Sequence, residues 1–244
     1  MPRKSKTSKK TTTTEKKFTA VPPVAKPAAT KPVVAETPAK AQPVASAPAV
    51  QAVVPQVVKE LASPSASERA NAATAIGKSQ NVAAVKALLV TLQDLNAEVA
   101  REAATSLGLL GDASAVEPLI EIITNVNGYF HAVVRSAAAA SLGKLKDLRA
   151  VEPLLNAVYD PIADSSSEAI SALAALGDRR AVGALIEVVR NRNGFFVNSV
   201  RRAAVLGLIK LGGEEAQAEL LFVSTDGWED SVIREEATAA LSGH

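Results

Sequence analysis

The sequence predicts an all-α protein in which helical hairpins stack one on another as an α-solenoid. Three observations indicate this: a segment recurs at regular intervals, each copy places apolar residues at helical spacing, and 48% of the residues are hydrophobic while only 3% are aromatic. The hydrophobic residues are mostly Ala, Val and Leu, which suit thin, closely packed helical layers. Repeats of roughly 20–50 residues are typical of stacked arrays rather than of closed globules.

The first 60 residues differ in composition from the rest and predict a disordered tail. They contain 11 basic and three acidic residues, a net charge of +8, and nine prolines, whereas residues 61–244 carry a net charge of −6. Such a segment buries too little apolar surface to offset the entropy lost on ordering. It is either a solvated linker or an arm whose lysines contact polyanions or nucleic acid without sequence preference. We therefore divide the chain into a tail, 1–60, and a repeat domain, 61–244.

The repeat domain contains five copies of one unit and a closing half-copy at 231–243. Equivalent leucines lie 31, 35, 31 and 35 residues apart: Leu88, Leu119, Leu154, Leu185 and Leu220. In each copy a helix rich in small residues precedes a break and a second helix. The pair Gly111-Asp112 indicates such a break, because Gly suits the left-handed end of one helix and Asp suits the N-cap of the next. In that copy the second helix has apolar residues at i, i+3, i+4 and i+7, starting from Val116.

These copies resemble HEAT repeats, in particular the short bacterial type called PBS-lyase HEAT-like repeats. The resemblance covers about residues 65–243 and includes the Val-Arg pairs Val134-Arg135 and Val200-Arg201. It implies a right-handed α-solenoid of about five HEAT-like hairpins plus a terminal half-repeat, with the second helices lining a concave face. We expect Arg135, Arg201 and Arg234 to pair with the aspartates between helices and with loop carbonyls of adjacent repeats. Because the motif consists mainly of packing residues, it indicates the fold more than the activity.

Loops between the repeats contain most of the aromatic residues. The segments NVNGYFHAVVR (125–135) and NRNGFFVNSVR (191–201) lie 66 residues apart, and TDGWEDSVIR (225–234) is a looser third version. Together they hold five of the chain's eight aromatic residues: Tyr129, Phe130, Phe195, Phe196 and Trp228. The rings either fold back to fill gaps between helix pairs or form a row of anchors for a partner, since aromatic residues dominate interface hot spots.

The second helices also carry acidic residues, which form a further candidate surface: Glu117, Glu121, Glu152, Glu187 and Glu219. This surface is either an ordinary solvated helix face or a groove that attracts a basic partner.

Composition argues against most catalytic and metal-dependent classes. The chain has no Cys and two His, so it lacks a disulfide framework, a thiolate zinc site and a cysteine nucleophile. It also lacks glycine-rich phosphate loops, the His-Glu pairs of HEAT-fold di-iron hydroxylases, and the apolar run of about 20 residues that a membrane span requires. We therefore expect no metal and no cofactor.

The predicted function is a cytoplasmic, non-catalytic scaffold that binds another protein through the aromatic loops and the concave helix face. Two alternatives remain open. The family resemblance alone implies a bilin lyase-type protein that handles phycobilisome chromophores. The basic tail indicates instead a nucleic-acid-associated protein.

Overall fold

The computed structural model describes residues 56–243, so the tail predicted for 1–60, with its polyanion contacts, lies almost wholly outside the described residues. Within that range the chain is helical and has no strands. Residues 56–60 are helical. Eleven further helices follow: α1 (Ala66–Ser79), α2 (Val85–Thr91), α3 (Ala97–Leu110), α4 (Val116–Thr124), α5 (Ala132–Leu145), α6 (Val151–Ala157), α7 (Ala163–Leu176), α8 (Ala181–Arg190), α9 (Asn198–Leu211), α10 (Glu214–Thr225) and α11 (Ser231–Ser242).

Odd-numbered helices are the first helices of the repeats and even-numbered helices are the second ones. Each odd-numbered helix before α11 packs against the next odd-numbered helix, and each one from α3 onward also packs against the second helix of the preceding repeat. Five hairpins and the lone helix α11 therefore confirm the predicted α-solenoid with a terminal half-repeat.

The hairpin breaks form as the Gly-Asp pattern predicts. Helix α3 ends at Gly111 in the left-handed conformation, with φ of 71°. The carboxylate of Asp112 then accepts a hydrogen bond from the backbone N–H of Ser114 at 2.8 Å and caps the short 3₁₀ turn before α4. Asp147 does the same for Arg149 at 2.9 Å, so a short polar side chain starts the second helix in each case.

The first helices approach one another closely because small residues lie where they cross. A Cβ atom built on Gly108 of α3 would lie 2.5 Å from Oγ of Ser141 in α5. That hydroxyl donates a hydrogen bond to the carbonyl of Ala104 at 2.8 Å, which satisfies a polar group between the two helices. Equivalent leucines of the second helices fill the space beneath: Leu88, Leu119, Leu154 and Leu185 are 0% exposed and Leu220 is 4% exposed.

Candidate interaction surface

The connections between repeats lie along one edge of the helical array, and the hairpin breaks lie along the opposite edge. This follows from the antiparallel hairpins, since every second helix must end where the next first helix begins. The three aromatic segments are connections of this kind and span residues 125–131, 191–197 and 226–230.

An asparagine shapes each of the first two aromatic loops. Asn125 adopts the left-handed conformation, with φ of 43°, and its Oδ1 accepts a hydrogen bond from the backbone N–H of Phe130 at 2.9 Å. Gly128, with φ of 71°, provides the turn between them. Asn191 has the same φ and accepts from the N–H of Phe196 at 2.8 Å. Each loop is therefore closed by its own side-chain hydrogen bonds.

The closed loops place the two aromatic residues of each pair in different environments. Phe130 and Phe196 are half-buried and pack against the core, whereas Tyr129 is 84% exposed and Phe195 is 53% exposed. Trp228, in the third loop, is 98% exposed. Phe130 and Phe196 therefore fold back onto the core, whereas the other three rings remain exposed. The three exposed residues Tyr129, Phe195 and Trp228 are called the aromatic edge below.

Arginines at the start of the first helices hold the loops to the helices. Arg135 donates to the carbonyl of Phe130 at 2.7 Å and to both carboxylate oxygens of Asp160 at 2.6 and 2.8 Å. Arg201 donates to the carbonyl of Val189 at 2.8 Å and forms an ion pair with Glu229. These pairs are largely buried, so they fix the geometry of the loops.

The predicted loop-carbonyl contacts are confirmed for Arg135 and for Arg234, which donates to the carbonyl of Glu229 at 3.1 Å. The carbonyl that Arg201 contacts lies instead in the last turn of α8. The predicted pairing with the aspartates between the helices of a hairpin is wrong. The partners Asp160 and Glu229 lie in connections between repeats instead. A first helix of 14 residues is about 21 Å long, so an arginine in its first turn cannot reach the hairpin break at the other end.

The predicted acidic surface is partly neutralised by the chain itself. Glu117, Glu121, Glu152 and Glu187 are exposed on second helices. However, Glu117 accepts a hydrogen bond from Arg149 at 2.9 Å and Glu152 accepts one from Arg180 at 3.2 Å, each arginine belonging to the next repeat.

Glu219 does not belong to the acidic surface, although the sequence placed it there. Its side chain is 2% exposed and pairs with Arg190 at 2.6 Å. Burial on this scale requires a partner for the carboxylate, and the guanidinium group provides it. Glu219 is therefore a packing residue.

Two cavities border the aromatic loops. The larger, of about 500 Å³, lies between the ends of α8 and α10 and the start of α9, and its lining includes Arg190, Arg192, Arg201 and Phe222. The smaller, of about 200 Å³, lies at the first aromatic loop, and its lining includes Glu121, Tyr129 and Phe130.

Tyr159 belongs to the same edge, although the sequence analysis did not select it. Its hydroxyl donates to Oε2 of Glu187 at 3.1 Å, and its ring centroid lies 5.7 Å from that of Phe196. Burial of the side chain is the main cause that raises the pKa of Tyr159, and the hydrogen bond to Glu187 raises it further. The repeat alignment could have indicated Tyr159. It lies five residues after the aligned Leu154, at a position where the two preceding copies have the non-aromatic residues Gln93 and Thr124.

Within residues 56–243, no group of three His, Asp or Glu side chains is arranged to hold a metal ion. In the same range, no helix combines the length and the apolar character needed to cross a bilayer.

Comparison with protein families agrees with the helical geometry. A model of HEAT repeats matches residues 54–132 and 126–199, which is more than half of the chain. The chain belongs to the HEAT repeat family. A model of the PBS lyase HEAT-like repeat matches residues 200–226 of this HEAT repeat protein, which confirms the resemblance to the PBS-lyase type.

Several solved structures are similar to this HEAT repeat protein. A chain from the complex of CpcE and CpcF of phycocyanin lyase from Nostoc sp. PCC7120 is 27% identical, with a TM-score of 0.56 over 86% of this chain and 81% of that chain. A designed armadillo repeat protein is 18% identical, with a TM-score of 0.53 over 78% of this chain and 98% of that chain. An engineered protein is 21% identical, with a TM-score of 0.52 over 78% and 95%. The last two similarities show the fold alone. No curated protein sequence matches this HEAT repeat protein.

Proposed function

We propose that this HEAT repeat protein is a non-catalytic interaction module that binds a partner protein through the aromatic edge. The observation that supports this function most is the exposure of Tyr129, Phe195 and Trp228 at 84%, 53% and 98%. Rings this exposed contribute little to folding, whereas burial of aromatic side chains provides much of the binding energy of protein interfaces. The exposed glutamates of the second helices provide additional polar contacts around the rings.

The anchoring of the loops also supports a binding role. Because Asn125 and Arg135 already bind the backbone of Phe130, the neighbouring Tyr129 is carried on an ordered loop. Binding through an ordered loop loses less conformational entropy than binding through a mobile one. A row of such rings suits an extended partner, because a solenoid exposes a long surface relative to its mass.

Affinity capture with the full chain tests this function. The bait in which Tyr129, Phe195 and Trp228 are all replaced by alanine should lose proteins that the unsubstituted chain captures. A matched control replaces three exposed apolar residues at the hairpin-break edge, Val82, Leu109 and Leu148, and should retain them. Equal capture by the unsubstituted chain and the triple variant of the aromatic edge would refute the proposal.

A second candidate function, that of a phycobilin lyase-type protein, is favoured by the 27% identity to the phycocyanin lyase structure. Residues 200–226, which match the PBS lyase HEAT-like repeat, contribute Arg201, Phe222 and Asp226 to the larger cavity. An aromatic ring next to guanidinium groups suits a flat ligand with carboxylates.

Incubation of the purified chain with bilins, followed by gel filtration, tests the second function. A visible absorption band that elutes with the protein, and that is lost in Phe222→Ala, is the expected result for a chromophore-handling protein. Elution of all bilin apart from the protein would remove this candidate.

A further inference from the structure

The smaller cavity contains an exposed carboxylate next to aromatic rings. Its lining includes the side chains of Glu121, Tyr129 and Phe130, with residues 124–127 forming the remaining wall. Glu121 is exposed on the last turns of α4, and Tyr129 is 84% exposed. Among residues 56–243, no hydrogen bond or ion pair engages the Glu121 carboxylate. The cavity therefore presents an unneutralised anion beside exposed π-surface.

The second aromatic loop contains the same residue types 66 residues later, but there the chain fills the site itself. Glu187 and Phe196 correspond to Glu121 and Phe130. Tyr159 occupies that site, with its hydroxyl 3.1 Å from the Glu187 carboxylate and its ring 5.7 Å from Phe196. At the first loop, Gln93 stands at the sequence position that corresponds to Tyr159.

This comparison within the molecule shows what the open cavity lacks. The occupant at the second loop combines an apolar body, which contacts the phenylalanine ring, with a hydrogen-bond donor, which binds the carboxylate. An external occupant of the first cavity needs the same two parts. Because the Glu121 carboxylate is unpaired and the Tyr129 ring is electron-rich, a positively charged donor gains more there than a neutral one.

We propose that the cavity formed by Glu121, Tyr129 and Phe130 binds a Lys or Arg side chain of the protein partner. The aliphatic stem of that side chain packs on Phe130, and its charged head binds Glu121 beside the ring of Tyr129. A volume of about 200 Å³ admits a single side chain of this kind. The inference rests on the proposed interaction function and assigns a chemistry to one of its contacts.

Nuclear magnetic resonance titration of the ¹⁵N-labelled full chain with Nα-acetyl-lysinamide tests the inference directly. The backbone signals of Glu121, Tyr129 and Phe130 should shift in a saturable way at millimolar concentrations. Nα-acetyl-norleucinamide, which has the stem without the charge, should bind about three- to tenfold more weakly.

Three variants locate the binding. Glu121→Gln should weaken binding of the lysine probe about three- to tenfold, because it removes the charge and little volume. Gln93→Tyr should also weaken it, because it supplies the first loop with the ring that fills the second. Glu187→Gln is the matched control, since it neutralises the corresponding carboxylate and should leave the titration unchanged. All three residues are exposed, and unchanged spectra elsewhere will show that each variant is folded.

The inference is overturned if the lysine and norleucine probes shift the same signals equally, or if Glu121→Gln binds the lysine probe as tightly as the unsubstituted chain. Neither outcome bears on partner capture through Trp228, so the interaction function could survive the loss of this inference. Conversely, failure of the capture experiment with a positive titration would leave a cation site without the proposed protein partner.

Discussion

Replacement of Gly108 by alanine should destabilise the protein, although alanine favours helices more than glycine does. Gly108 lies in α3 opposite Ser141 of α5, and a Cβ atom at Gly108 would lie 2.5 Å from Ser141 Oγ and 2.8 Å from Ser141 Cα. Rotation of the serine side chain cannot relieve the contact with Cα, so α3 and α5 must separate. Separation would also stretch the buried hydrogen bond of 2.8 Å from Ser141 to Ala104.

The opposing terms give a net loss of stability. Helix propensity favours alanine by about 1 kcal/mol. Overpacking costs about 1–3 kcal/mol, and loss of a buried hydrogen bond costs about 1–3 kcal/mol. The free energy of unfolding should therefore fall by roughly 1–5 kcal/mol. Gly183 of α8 provides the matched control, because it is exposed and a Cβ atom there would have no neighbour within 4 Å. Gly183→Ala should raise the free energy of unfolding by about 0.5–1 kcal/mol.

Urea unfolding of the two variants, followed by far-ultraviolet circular dichroism, provides the measurement. The midpoint should move to lower urea for Gly108→Ala and to higher urea for Gly183→Ala. If both substitutions raise the midpoint, then the first helices do not approach as closely as described, and the packing argument for the whole array is wrong.

Three further predictions concern the loops, the buried ion pairs and pH. Trp228→Ala should change the free energy of unfolding by less than about 0.5 kcal/mol, whereas Phe130→Ala should lower it by about 1–3 kcal/mol because its half-buried ring packs on the core; thermal melts of the two variants would compare them. Arg135→Met should lower the free energy of unfolding by about 3–5 kcal/mol, because it leaves the buried carboxylate of Asp160 without its partner. Urea unfolding would measure this loss, and a loss below about 1 kcal/mol, which is typical of surface ion pairs, would contradict the prediction. The hydrogen bond from Arg69 lowers the pKa of Asp94 in the folded state. The ionised carboxylate therefore contributes its full stabilisation above the unfolded-state pKa of about 3.9, and this stabilisation is lost as the pH falls from there through the folded-state pKa. Acid unfolding of Asp94→Asn should then show a smaller loss of stability across that range than the unsubstituted chain shows.

Much of the fold could be predicted because its determinants are local. The helical spacing from Val116 onward and the Gly111-Asp112 break specify a helix, its end and the next N-cap within about a dozen residues. The aligned leucines then indicate the buried layer, and all five are buried. The candidate site was predictable only in outline, as aromatic residues in the connections between repeats.

Sequence alone therefore determined that the chain contains a stack of helical hairpins and that most of its aromatic residues lie between them. Only the tertiary structure decided that Phe130 turns inward while Tyr129 remains exposed, and that Tyr159 fills the site beside Glu187, 28 residues away in the chain. The periodicity of a sequence indicates which face of a helix is apolar, because that face is formed by residues within two turns of one another in the chain. The environment of a loop side chain depends on what the adjacent repeat brings next to it, and no local pattern records that.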